Sequence, residues 1–189
     1  MVAGSGPLED PAALKRLVDR ALHGDPEAWS TLYARLRPRL FALCLRRLGN
    51  REDAEDAVAE TMMRAVRGAD QFRWRGAGFD AWIFRICRNV IVDMSRSRSR
   101  QLAMAGRGER PSEPPAVEEQ VGLAEEHAAV RRALDQLPVD DREVLELRVV
   151  AGLSSDEAAY VLKRRPGAVR VAQSRALKRL RAQLAEEDR

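Results

Sequence analysis

Residues 163–181 read KRRPGAVRVAQSRALKRLR: eight basic side chains, no acidic one, and apolar residues at steps of three and four. At 100° per residue Val169, Ala172, Ala176, Leu177, Leu180 and Leu184 share one side, and Arg170, Val171, Ser174, Arg175, Lys178 and Arg181 the other. This predicts a helix packed by its apolar side and positive on its free side. A solvated helix ordinarily mixes charge signs to limit repulsion, so an all-positive side points to an anionic partner. Upstream, GLSSDEAAYVL (152–162) sets Ser154 and Glu157 at capping-box spacing, and KRRPG then turns into the basic helix. Short helix, tight turn and basic helix is the order of a helix-turn-helix, whose second helix enters the major groove of DNA.

Working outward, helical periodicity fills the rest of the C-terminal third. A helix over about 123–136 stops before LPVDD, Asp140 is the expected cap of the next helix (REVLELRVV), and Gly152 ends it. Before it, SRSRSRQLAMAGRGERPSEPPAVEEQ (95–120) loses all periodicity, and its Ser, Arg, Gly, Pro and Glu bury too little apolar surface to order themselves. The expected organisation is all-α: a disordered N-terminus over 1–11, a helical domain over 12–97, a flexible linker over 98–122, and a second helical domain over 123–186 containing the helix-turn-helix. A chain of 189 residues with 5% aromatics and 33% charged residues suits two small helical units better than a sheet-rich fold.

In the first domain GDPEAW announces a helix, with Asp25 as cap and Pro26 at the first helical position. Trp29, Leu32, Tyr33 and Leu36 recur at helical spacing as core, and Pro38 should bend or interrupt the run. Asn50 is the expected cap of the following helix, where Ala54, Ala57, Val58, Met62 and Ala65 form the apolar side and five of the six charges over 51–60 are acidic. Those carboxylates fit a solvated face or a protein-docking face. DQFRWRGAGF (70–79) reads as a loop. Phe79, Trp82, Ile83, Ile86, Cys87, Val90, Ile91 and Met94 then give an amphipathic helix whose opposite side carries Arg85, Arg88, Asn89, Val92, Asp93 and Arg96.

Charge is distributed in blocks although the net charge is only +4. Residues 64–110 hold eleven Arg against four acids, residues 113–126 hold five charges, all acidic, and the basic helix follows. Cys44 and Cys87 sit singly among apolar neighbours, and His23 and His127 are isolated, so buried reduced thiols are expected and neither a metal nor a cofactor. No apolar run approaches the roughly 18 residues that span a bilayer, and MVAGSGPLEDP lacks the basic-then-apolar order of a signal peptide. A cytoplasmic protein without a membrane partner is expected.

Taken together, three segments resemble a known family. DAEDAVAETMMRA (53–65) is similar to region 2.2, FDAWIFRICRNVIVD (79–93) to regions 2.3 and 2.4, and 137–181 to region 4 of bacterial group IV sigma factors, the extracytoplasmic-function (ECF) branch of the sigma-70 family. The resemblance implies a non-enzymatic protein that binds core RNA polymerase and promoter DNA. It implies Glu55, Asp56 and Glu60 as polymerase-docking residues. For the -10 element it implies Phe72, Arg73, Trp74, Arg75, Asn89 and Arg96, with the loop 72–78 capturing an unstacked base, Trp74 as a candidate stacking ring, and Trp82 and Phe79 as core. For the -35 element it implies Arg170, Val171, Ser174 and Arg175 at base edges; Lys178 beside them fits a phosphate contact or a solvated charge. An anti-sigma factor that covers the modules is a further partner type of the family. Two other readings are open at this point: a polymerase-independent helix-turn-helix regulator on a palindromic operator, and a metal-assisted enzyme using the carboxylates of 52–60.

Overall fold

The computed structural model describes residues 10–74, 76–104 and 121–187, and within them every element is helical. Helix α1 spans Pro11–Leu22, α2 Pro26–Leu48, α3 Arg51–Arg67 and α4 Gly78–Met104, with a 3-10 turn at Ala69–Gln71. Helix α5 spans Val121–Gln136, α6 Val139–Leu145 with a π-helical turn at Glu146–Val150, α7 Ser155–Leu162 and α8 Pro166–Glu187.

Local chemistry explains most starts and stops. Asp25 accepts from the amides of Glu27 and Ala28 ahead of α2, and Asn50 Oδ1 accepts from Asp53 N at 2.7 Å ahead of α3. Gly49 at φ 80° and Gly152 at φ 65° take the left-handed conformation that turns the chain after a helix. Four expectations are corrected. The first helix, expected to start near Leu14, starts at Pro11, because Asp10 caps Ala12 and Ala13. Of the bend or interruption expected at Pro38, the interruption does not occur: Leu32, Leu36, Leu40 and Cys44 are all fully buried along one side of a continuous α2, and that packing outweighs one missing amide. Tyr33, expected in the core, is 38% exposed. Asp140 does not cap α6, which starts after Pro138 without a side-chain cap; Asp140 pairs instead with Arg164 at 2.5 Å.

Helix α4 also runs seven residues past the expected domain boundary at 97. The extension is held by polar contacts rather than by burial: Arg98 to Asp53 at 3.2 Å, and Ser99 Oγ to Ser95 O at 3.0 Å. The central part of the expected linker, 105–120, and the N-terminal residues 1–9 lie outside the described residues.

Helices α2, α3 and α4 pack around Ala54, Ala57, Val58, Phe79, Ile83, Phe84 and Val90, and α6, α7 and α8 around Val144, Leu153, Val161 and Val169. These are not two separate cores. Among the described residues, buried side chains of both halves form one apolar cluster, with α7 packed on α4, and a smaller group around Leu137, Leu145 and Ala176 stands apart. Charged groups line the junction. Glu143 accepts from Arg47 at 2.8 Å and Arg88 at 3.2 Å, Glu146 accepts from Arg47 at 3.1 Å, and Arg39 Nε donates to Ala151 O at 2.7 Å. Asp80, almost without solvent contact, receives both Arg35 and Arg39.

Candidate nucleic-acid interface

The basic helix is seated by its sequence neighbours. Ser154 Oγ accepts from Glu157 N at 3.2 Å while Glu157 Oε2 accepts from Ser154 N at 2.6 Å, so α7 opens on a complete capping box. Lys163, at φ 54°, takes the left-handed conformation that closes α7 and redirects the chain, and Pro166 starts α8. Val169, Ala172 and Ala176 are buried against the preceding helices, which leaves Arg170, Val171, Ser174, Arg175 and Lys178 exposed in one run. Val171 keeps 66% of its surface in water, a small apolar group standing between cations.

Arg175 differs from its neighbours. Its guanidinium grips Asp141 of α6 through Nε at 3.1 Å and Nη2 at 2.5 Å, and Arg179 pairs with the other carboxylate oxygen. The Asp141 side chain has no solvent contact. The hydrogen bond from Arg175, with the charges of Arg175 and Arg179, holds the carboxyl below its ordinary value against a desolvation that acts the other way. Here Arg175 anchors the recognition helix to α6. No local motif announces this pair, because its partners lie 34 residues apart.

The second expected surface is divided. Phe72 is buried, with its ring 5.1 Å from Trp74, 5.5 Å from Phe79 and 5.2 Å from Trp82, so it belongs to an aromatic cluster under the loop. Trp74 is 41% exposed. Arg73 is exposed and bonds back to the carbonyls of Asp70 and Phe72; Arg75 lies outside the described residues. Asn89 is exposed on an open groove of about 340 Å³ between α3 and α4, with Arg64, Arg67, Gln71, Trp82 and Arg85 around it. Arg96 is exposed one helical stretch further along α4. Arg85 and Arg88, on the same polar side, are turned toward the other half of the molecule: Arg85 lies 4.9 Å from the Tyr160 ring centroid, and Arg88 pairs with Glu143.

On α3, Glu55 and Asp56 are exposed, whereas Glu60 is half-buried and tied to Arg64 at 2.7 Å. Met62 faces the core, but Met63 and Val66 are 50% and 49% exposed and share a side with Glu55, Asp56 and Ala59. Sequence reasoning passed over these two, although their angle at 100° per residue puts them off the apolar side. The two thiols, far apart in sequence, meet at 3.5 Å as a buried free pair between α2 and α4. The hydrogen bond between them and their burial push the Cys44 thiol far up, which keeps it protonated. Among the described residues no three or more His, Cys, Asp or Glu gather as a metal site, and no described helix is long and apolar enough to cross a membrane.

Comparison with known proteins gives this arrangement its context. Sigma-70 region 2 matches residues 32–101, and Sigma-70, region 4 matches residues 127–180. The ECF RNA polymerase sigma factor ShbA of Streptomyces griseus is 33% identical over 189 residues, covering 95% of this chain and 98% of the relative. SigD of Mycobacterium tuberculosis, another ECF RNA polymerase sigma factor, is 32% identical over 177 residues, covering 90% of this chain and 84% of the relative. Among solved structures, CnrH in complex with the cytosolic domain of CnrY superposes with a TM-score of 0.71 at 28% identity, over 91% of this chain and 97% of that one. The sigma factor RpoE of Bartonella quintana, bound to the anti-sigma factor NepR, gives 0.67 at 28% identity over 85% and 98%. With both sigma-70 regions in order and 33% identity to a named member over 95% of its length, this chain belongs to the ECF RNA polymerase sigma factors, initiation factors without enzymatic activity.

Proposed function

We propose the following division of labour within a sigma factor that carries core RNA polymerase to promoters. Arg170, Val171, Ser174 and Lys178 read the -35 element from the major groove, Arg170 at base edges and Lys178 at phosphate, while Arg175 serves chiefly to seat the helix through Asp141. Asn89, Arg96, Arg73, Arg75 and the exposed ring of Trp74 act at the -10 element, and Phe72 supports that ring from the core. Polymerase docks along α3 on Glu55, Asp56 and Ala59, extended by Met63 and Val66, with Glu60 fixing Arg64 behind them. Residues 12–97, lengthened by the α4 extension, form the first module and 123–186 the second. Acting on promoters places the protein in the cytoplasm.

The observation that carries this reading is the exposed run on α8, cationic at both ends and narrow at Val171 and Ser174, on a helix whose other side buries Val169, Ala172 and Ala176. A major-groove reader needs that combination: close approach in the middle, charge for bases and phosphates around it. The structural relatives were captured with CnrY and NepR, which supports an anti-sigma factor as a further partner type for this chain. A photocrosslinker, p-benzoylphenylalanine, placed at Ala59 tests the docking face. It should join the protein to a subunit of core polymerase; co-migration with core on a sizing column without such a crosslink would move the docking face elsewhere.

A further inference from the structure

Helix α1 precedes both matched family segments, yet it fixes the most exposed of the three tryptophans. The Trp74 indole Nε1 donates to Asp19 Oδ1 at 2.9 Å. Lys15, one turn earlier on α1, donates to Asp19 Oδ2 at 3.1 Å, and its ammonium lies over the Trp74 ring, 5.6 Å from the centroid, on a flexible stem that a base stacking on that face would displace. The buried Phe72 ring stands nearly perpendicular to the Trp74 ring, 5.1 Å away between centroids. The indole bond is the largest of the influences that hold the Asp19 carboxyl below its ordinary value. A loop tryptophan free to change rotamer would lose that freedom on stacking against a base. A ring already held loses less, so its stacking energy goes further toward binding.

We propose that Asp19 is a positioning residue, which through the indole hydrogen bond holds Trp74 as a preset stacking surface for an unpaired base of the non-template strand. Lys15 in turn fixes the Asp19 carboxylate. The proposal rests on the reading of the loop 72–78 as the base-capturing segment. The competing explanation is that the bond merely ties the loop to α1, in which case it would affect stability and not strand opening.

The test uses holoenzyme assembled from core polymerase and each variant, on a promoter fragment recovered by genomic run-off transcription with the wild-type protein. Permanganate reactivity of unpaired thymines reads strand opening, and thermal unfolding of the free protein reads stability. Trp74→Ala should lower opening about tenfold, the scale of a lost base–aromatic stack. Asp19→Ala should lower it about fivefold, the scale of one lost hydrogen bond, while the melting midpoint shifts by less than about 4 °C. Asp19→Asn keeps an acceptor oxygen and should restore opening to within about twofold of wild type. In a Trp74→Phe background, which has no indole N–H, Asp19→Ala should cause no further loss. An Asp19→Ala effect of the same size in that background, or no rescue by Asn, would overturn the proposal. So would normal opening in Asp19→Ala while Trp74→Ala opens poorly, a result that leaves the loop reading intact. Normal opening in Trp74→Ala would remove the loop reading itself.

Discussion

Asp141 shows how one carboxylate can seat a recognition helix. It has no solvent contact, and two arginines of α8 answer it. Its carboxyl is held below the ordinary range, first by the Arg175 hydrogen bond. An acid whose pKa is lower folded than unfolded contributes stability above the unfolded value, about 3.9, and loses it as pH falls through the lowered folded value. Asp141→Asn should therefore cost about 2 kcal/mol near neutral pH, the value of a hydrogen bond to a charged group. It should also flatten the decline of stability below pH 4, as followed by urea unfolding across pH. An unchanged acid limb would remove Asp141 from that role. On the open side of α8, Arg170→Ala should weaken binding at particular -35 bases by roughly 1–3 kcal/mol. Lys178→Ala should weaken every sequence alike and reduce the salt slope by about one unit. Binding isotherms at several salt concentrations, on duplexes differing at single bases, separate the two. The outward run on α8 was legible from a helical wheel; that Arg175 within it is already engaged was not, because a wheel carries no information about α6.

At the scale of elements, α2 keeps its helix through Pro38 because the apolar side of that helix is buried while Pro38 itself faces solvent. An interior proline forfeits an amide bond and crowds the preceding turn. Pro38→Ala should accordingly raise stability by roughly 1–3 kcal/mol, measured by chemical denaturation, with no effect on DNA binding. No gain would mean that α2 has adapted its turn around the ring. Signals carried within a few residues were legible: the Asp25 and Asn50 caps, the Ser154 and Glu157 box, and the apolar sides of α3 and α4. Signals set by distant partners were not. The segment 98–104 reads as linker because it has no apolar stripe, yet α4 continues there with Arg98 bonded to Asp53 across 45 residues. Asp140 looks like a cap and is drawn instead to Arg164.

At the scale of the molecule, the sequence shows two units and not their contact. Blocks of charge pointed outward to partners, but Arg88 of the 64–110 block and four charges outside any block meet each other inside the molecule. Arg46 and Arg47 of α2 face Glu146, and Arg47 and Arg88 share Glu143. Burial pushes the Glu146 carboxyl up despite the arginines near it. Its contribution is thus fully present below the unfolded pKa and is lost as pH rises through the raised folded value, the opposite sense to Asp141. Removing Glu143 leaves Arg88 without its acid and Arg47 with one fewer. Glu143→Ala should loosen the junction between α4 and the second half of the chain, seen as a larger radius of gyration in small-angle scattering; an unchanged radius would mean that apolar packing alone holds the halves together.

The most direct measurement is run-off transcription across a genomic fragment library with core RNA polymerase, comparing the wild-type protein with Arg170→Ala and Asn89→Ala. Discrete transcripts should appear only when the protein is present and should share two elements at a fixed spacing. Arg170→Ala should relax base preference in the upstream element alone, and Asn89→Ala in the downstream element alone. Transcripts that do not depend on the protein, or two variants that degrade both elements alike, would contradict the assignment of one DNA-reading surface to each module.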